Sequence, residues 1–137
     1  MKTLSPYKGL DTYTAEDRDR FFGRDDDRQI LIDKVFSARV TLFFGVTGAG
    51  KSSLLLAGVI PELANPEGYR LNVVYHSGWN PHEDPRISLK TSIKDALLEA
   101  GILSSAEPPN WKNSGLRDFV EQHELFASDP LVIVIDQ

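Results

Sequence analysis

The sequence FFGVTGAGKSS at residues 43–53 contains a short pattern with a specific chemical meaning. Residues 45–52 match G-x-x-x-x-G-K-[ST] at every specified position. Glycines let a backbone turn tightly and approach phosphate oxygens without a Cβ in the way. The loop amides and the start of a following helix then form an anion site. The pattern therefore predicts a phosphate-binding loop. The alternative is a glycine-rich turn that binds nothing, but such a turn needs neither the lysine nor the serine.

Each polar position of this loop has a predicted role. Lys51 can reach the β- and γ-phosphates of a nucleotide, and the Ser52 hydroxyl can ligate magnesium. The predicted cofactor-binding residues of the loop are Gly45, Thr47, Gly48, Ala49, Gly50, Lys51, Ser52 and Ser53.

A second informative stretch is LVIVIDQ at residues 131–137, an apolar run that leads into Asp136. Phosphate-loop enzymes place an aspartate at the tip of another parallel strand, where it holds magnesium directly or through water. We therefore predict Asp136 as a magnesium ligand together with Ser52, and Asp136 and Lys51 as the catalytic residues. Taken alone, Asp136 is equally consistent with an aspartate that only ends a core strand.

Strand and helix patterns alternate along the rest of the chain. A helix is expected near residues 26–37, a buried strand at 39–44, and a helix after the loop that stops near residues 58–61. A strand at 70–76 and helices at 87–100 and 116–126 precede the final strand. This alternation indicates a parallel sheet covered on both faces.

The amino-acid composition limits the classes of function that this protein can have. The net charge of −5 does not favour a nucleic-acid-binding surface, and the lack of cysteine excludes disulfides and thiolate zinc sites. No stretch approaches the ~20 apolar residues of a membrane span, and the N-terminus lacks the apolar core of a signal peptide. Without an export signal, the expected compartment is the cytoplasm.

Two loop features are interpreted as structural. His76, His82, Glu83 and Asp84 are potential metal ligands, but their irregular spacing in a Pro- and Gly-rich stretch is typical of a solvated loop. Trp79 in the same loop is expected to cover an edge of the core.

Three stretches together resemble the "novel STAND" branch of the STAND class of P-loop ATPases, which occurs in bacterial signalling and defence proteins. They are PYKGLDTYTAEDRDRFFGRDDD at residues 6–27, GVTGAGKSSLLLAGVIPEL at 45–63, and LVIVIDQ. The chain departs mildly from the family pattern at Tyr13, Asp25, Asp27 and Leu56.

The resemblance implies a fold. It is a partial P-loop NTPase three-layer α/β/α sandwich with a mostly parallel sheet, truncated after the Walker B strand. Residues 1–24 would form a lead-in that carries the FFGR segment. Residues 25–137 would form an incomplete core, with Walker A at 45–52 and the Walker B strand at 131–136.

The resemblance also places Phe22, Gly23 and Arg24 beside the adenine as cofactor-binding residues. From the residues alone, another interpretation stands: Phe21 and Phe22 act as a hydrophobic staple onto the first helix, and Arg24 is a surface charge.

The implied function is an ATP/ADP-dependent switch that requires Mg²⁺, with hydrolysis in the full-length parent and little or none in this chain. The partners would be an adenine nucleotide and the effector and sensor domains of the parent, without nucleic acid or membrane. In the family, a later strand separates the P-loop strand from the aspartate strand, so an exposed sheet edge is expected to cause self-association. A GTPase-like domain, a nucleotide-binding scaffold without turnover and, more weakly, a P-loop kinase remain alternatives.

Overall fold

The computed structural model of this protein describes residues 11–103, 112–122 and 129–136. The chain divides into two compact units, Met1–Arg70 and Leu71–Gln137. Over the described ranges, no helix is both long enough and apolar enough to cross a bilayer.

The first unit begins with a 3₁₀ helix, Ala15–Arg20, followed by helix α1, Asp25–Ser37. Three aspartates occupy the first turn of α1, where negative side chains stabilise the positive end of the helix dipole. The predicted helix near residues 26–37 is thus confirmed. Leu31 and Ile32 are its buried residues, whereas Ile30 is exposed. The sequence pattern placed Ile30, Leu31 and Val35 near one face of this helix, so the observed inward face is rotated relative to that prediction.

Helix α2 spans residues 51–63 in three consecutive stretches: α-helical Lys51–Ser53, π-helical Leu54–Val59 and α-helical Ile60–Leu63. The prediction that this helix stops near residues 58–61 was wrong. Proline lacks the amide that an α-helix requires, and the change from π- to α-helical hydrogen bonding falls just before Pro61. The helix continues past Pro61 because the π-helical turns shift the hydrogen-bond spacing at that point.

Residues 38–46, between α1 and the glycine loop, form no strand. Val40, Leu42, Phe44 and Val46 are each between 79% and 85% exposed. The predicted buried strand at 39–44 was therefore wrong. A strand needs a neighbour that pairs with its backbone, and none of the described residues hydrogen-bonds to the backbone of residues 39–44.

The second unit contains a parallel pair of strands, β1 (Asn72–His76) and β2 (Leu131–Ile135). Their register pairs Asn72 with Leu131 and His76 with Ile135. β1 begins two residues later than the sequence pattern predicted. Arg70 has a left-handed φ of 56°, which is incompatible with a strand.

Two helices follow β1 in this unit, α3 (Pro85–Glu99) and α4 (Leu116–Gln122). Both were predicted, although the end predicted for the second, up to residue 126, lies outside the described residues. Their apolar side chains pack on β1 in a buried cluster of Val74, Leu89, Ile93, Leu97 and Phe119. The described fold is thus mixed α/β with a two-stranded parallel sheet.

Candidate functional site

The glycine loop at residues 45–50 has the backbone conformation that its sequence requires. Gly48 and Gly50 adopt left-handed φ values of 82° and 72°, which cost little only for glycine. Ala49 N–H donates to the Val46 carbonyl at 3.2 Å and closes a turn within the loop. Gly50 immediately precedes α2. The loop therefore leads directly into the N-terminus of a helix, where anions bind favourably.

The Lys51 side chain folds back across this loop. Its ammonium Nζ donates to the carbonyl oxygens of Gly45 at 2.9 Å and Val46 at 3.0 Å. Thr47, Gly48 and Ala49 are exposed beside it. A positive charge thus lies over an open concave turn whose glycines carry no Cβ. This arrangement fits a phosphate chain, because the ammonium can exchange carbonyl oxygens for phosphate oxygens.

The two serines after Lys51 are in different positions. Ser52 is half-buried in the first turn of α2, as a magnesium ligand of this motif would be. The Ser53 hydroxyl accepts a hydrogen bond from Tyr13 N–H at 3.0 Å. Ser53, predicted to bind the cofactor, therefore has a structural contact with the lead-in.

The lead-in packs along α2 beyond that contact. Arg18 donates to the Glu62 carboxylate at 2.5 Å. A Cβ added at Gly58 would lie 3.5 Å from Phe21 Cε1, so the Phe21 ring lies close to the helix backbone. The described part of the lead-in, residues 11–24, thus belongs to the same compact unit as the glycine loop.

Arg24 links the FFGR segment to the loop. Its Nη1 donates to the Ala49 carbonyl at 3.1 Å, and its Nε donates to Asp27 in α1 at 2.5 Å. The structure therefore brings Arg24 to the predicted phosphate loop. The Arg24 side chain is still 35% exposed, so its interpretation as a surface charge also fits these contacts.

The two phenylalanines of FFGR differ. Phe22 is 76% exposed, and Gly23 beside it has a left-handed φ of 82°. Phe21 is half-buried and contacts the Tyr13 ring, with the ring centroids 5.6 Å apart. Phe21 is thus a packing residue, whereas Phe22 is accessible to a ligand.

A cleft of about 410 Å³ lies between α1 and residues 38–43. Arg24 and Leu54 border it, so it adjoins both the FFGR segment and α2. Most of its other lining residues are apolar: Ile30, Leu31, Ala38, Val40, Leu42 and Phe43. An apolar cleft with a few charged groups at its border is typical of small-molecule sites.

Asp136 belongs to the second unit and directly follows β2, as predicted. Its carboxylate Oδ2 accepts a hydrogen bond from the Tyr75 hydroxyl at 2.8 Å. Its backbone N–H donates to the His76 carbonyl at 2.8 Å, and its backbone carbonyl accepts from Trp79 Nε1 at 3.2 Å. Asp136 therefore lies beyond the carboxyl ends of two parallel strands, where ligands bind in open α/β sheets.

Sequence reasoning missed Tyr75 and assigned Trp79 only to covering the core. Both contacts depend on the register of β1 against β2, which a single sequence does not reveal. His76 is buried, and its Nδ1 lies 2.8 Å from Ser92 Oγ in α3. Asp84 accepts a hydrogen bond from Arg86 N–H at the start of α3. The side chains of His76 and Asp84, two of the four potential metal ligands in this region, thus have structural contacts.

Within the described parts of the chain, no three His, Asp or Glu side chains come together as a metal site. A magnesium ion at a phosphate loop needs no such cluster, since it takes most of its ligands from phosphate and water.

The family model for Novel STAND NTPase 1 matches residues 6–137. The chain belongs to the Novel STAND NTPase 1 family. Comparison with curated proteins and with solved structures gave no match. Membership of Novel STAND NTPase 1 agrees with the resemblance of the three sequence stretches. It identifies the chain as a STAND-type nucleotide-binding module.

Proposed function

We propose that this chain is the ATP/ADP-binding part of a switch protein, with Mg²⁺ as the accompanying ion. The observation that carries the proposal is the loop at residues 45–50, where left-handed Gly48 and Gly50 precede a helix and Lys51 lies across the opening. Family membership supports the same function. The proposed fold around the site is the three-layer P-loop sandwich, to which the parallel pair β1–β2 would contribute.

The phosphate-binding roles belong to the first unit. The amides of the loop and the Lys51 ammonium would hold the phosphates, and the Ser52 hydroxyl would ligate magnesium. We also propose Asp136, in the second unit, as a magnesium ligand. The ion, when bound, neutralises phosphate charge and orients the terminal phosphate.

Base recognition is assigned to the FFGR segment. Phe22 offers an exposed ring that can stack on a base, and Arg24 already contacts the loop through the Ala49 carbonyl. We infer that the base lies beside Phe22, Gly23 and Arg24, next to the phosphates.

In the complete protein, nucleotide exchange would shift a conformational equilibrium, and slow hydrolysis would reset it. Cytoplasmic signalling or defence is the context that we propose for the parent, together with its effector and sensor domains. A scaffold that binds nucleotide without turnover, or a GTPase-like domain, would use the same loop.

Calorimetry with MgATP, MgADP and MgGTP tests the proposal. The chain should bind the adenine nucleotides in preference to GTP, and Lys51→Ala should weaken binding at least tenfold because it removes the ammonium from the phosphates. Lys112→Ala is the matched control, since it removes an exposed lysine from the other unit.

Equal loss of affinity in Lys51→Ala and Lys112→Ala would contradict a specific phosphate site. Preference for GTP would replace the proposal with the GTPase-like alternative. Binding without any hydrolysis over prolonged incubation would favour the scaffold for this chain.

A further inference from the structure

Three hydrogen bonds to Asp136 come from one short segment of the second unit, residues 75–79. The Tyr75 hydroxyl donates to the Asp136 carboxylate, and Trp79 Nε1 donates to the Asp136 backbone carbonyl. The Asp136 backbone N–H donates to the His76 carbonyl. Only the amide contact continues the β1–β2 ladder. The other two come from side chains, so they are specific to the residues at 75 and 79.

The shape of this segment explains how Trp79 reaches Asp136. Gly78 has a left-handed φ of 74°, which turns the chain sharply after β1. The Trp79 ring lies edge-on to the His76 ring, with centroids 4.2 Å apart and an interplanar angle of 79°. His76 is itself held by Ser92 of α3. The Trp79 indole thus packs against buried His76, which in turn contacts Ser92 of α3.

We propose that Tyr75 and Trp79 are positioning residues that fix the Asp136 carboxylate for magnesium. The inference rests on the proposed function, in which Asp136 contacts the ion. The hydrogen bond from Tyr75 holds one oxygen of the Asp136 carboxylate, and carboxylate oxygens are ligands that Mg²⁺ prefers. Partners of this kind orient ligating groups, and their removal commonly weakens metal binding about 10–100-fold.

Tyr75→Phe tests the carboxylate contact. At fixed ATP, the Mg²⁺ concentration that gives half-maximal nucleotide binding should rise about tenfold, while metal-free ADP binding stays at the wild-type level. Tyr69→Phe is the matched control, because it removes one phenol oxygen from the first unit. Trp79→Phe keeps an aromatic ring but removes the indole N–H, and it should raise the Mg²⁺ requirement by a smaller factor.

Asp136→Asn distinguishes a failure of the magnesium role of Asp136 from a failure of the positioning role of Tyr75. If Asp136→Asn leaves the Mg²⁺ requirement unchanged, the magnesium role of Asp136 is wrong. If Asp136→Asn raises the requirement and Tyr75→Phe does not, the magnesium role stands and the positioning role is overturned.

A second readout needs no nucleotide. Side-chain scalar couplings of Asp136 should report one rotamer in the wild-type chain and averaged rotamers in Tyr75→Phe. Slow exchange of the Asp136 amide in both would show that β1–β2 pairing is intact. A single Asp136 rotamer in Tyr75→Phe would also overturn the proposal.

Discussion

Two glycine residues set the conformation of the glycine loop. Gly48 and Gly50 have φ values that other residues rarely adopt. A Cβ at Gly48 would meet no atom within 4 Å, so the cost of a side chain there is backbone strain and not a clash. A substitution at position 48 therefore tests the cost of the left-handed backbone conformation without a steric clash.

Substitution at Gly48 should separate alanine from asparagine. Gly48→Ala should lower the free energy of unfolding by about 1–2 kcal/mol, because alanine is strained in the left-handed region. Gly48→Asn should lower it less, since asparagine tolerates that region. Urea denaturation of both variants measures the difference.

Gly58→Ala is the control for this pair, because Gly58 is helical and an added Cβ would make ordinary contacts at 3.5 Å. It should leave stability unchanged or raise it by up to about 1 kcal/mol. A Gly48→Ala variant as stable as Gly58→Ala would show that the loop does not hold the left-handed conformation.

At the scale of elements, the start of α3 is organised by one half-buried carboxylate, that of Asp84. Asp84 accepts hydrogen bonds from Arg86 N–H at 2.9 Å and from two guanidinium nitrogens of Arg86 at 3.1 and 2.8 Å. The Arg86 side-chain hydrogen bond and then its backbone amide lower the pKa of Asp84 from 3.8 to about 2. The residue thus combines a helix cap with a local ion pair.

Lowering the pH from 3.8 to about 2 should therefore destabilise α3. Because the folded-state pKa of Asp84 lies below its ordinary value, its contribution is complete above pH 3.8 and is lost as the pH falls through about 2. Carboxyl NMR titration should give an Asp84 pKa of about 2. Arg86→Ala should raise that pKa, whereas Arg117→Ala should not. A normal Asp84 titration in the unaltered chain would contradict the cap.

At the scale of the whole molecule, the segment at residues 38–46 is notable because it exposes apolar side chains and forms no strand. Its exposed apolar side chains alternate along the chain, as in a strand with one open face. Among the described residues, no backbone group pairs with residues 39–44. Such a segment is a template for pairing with another strand.

We therefore predict that the chain self-associates through this segment. Sedimentation velocity should show an average mass that rises with concentration. Replacing Leu42 and Phe44 with glutamate should shift the equilibrium towards monomer, because charge on an exposed strand opposes pairing. Ile102→Glu changes an exposed apolar residue of the second unit and should have no effect. A monomer at every concentration would refute the prediction.

Local sequence determined much of this protein. The positions of Gly48, Gly50 and Lys51 and the acidic start of α1 were predictable, since turns, caps and helix dipoles depend on neighbouring residues. Asp136 at the end of β2 was predictable for the same reason. The family also followed from sequence, because the family model that matches residues 6–137 agrees with the resemblance.

Tertiary structure decided the rest. The apolar run at 39–44 has strand composition, but a strand exists only where a neighbour pairs with its backbone. Helix α2 continues past Pro61 because π-helical turns precede it and the lead-in packs along it. Tyr75 and Trp79 reach Asp136 only through the register of β1 against β2 and the turn at Gly78. These are contacts between residues far apart in the chain, whose energies depend on geometry that no local pattern contains.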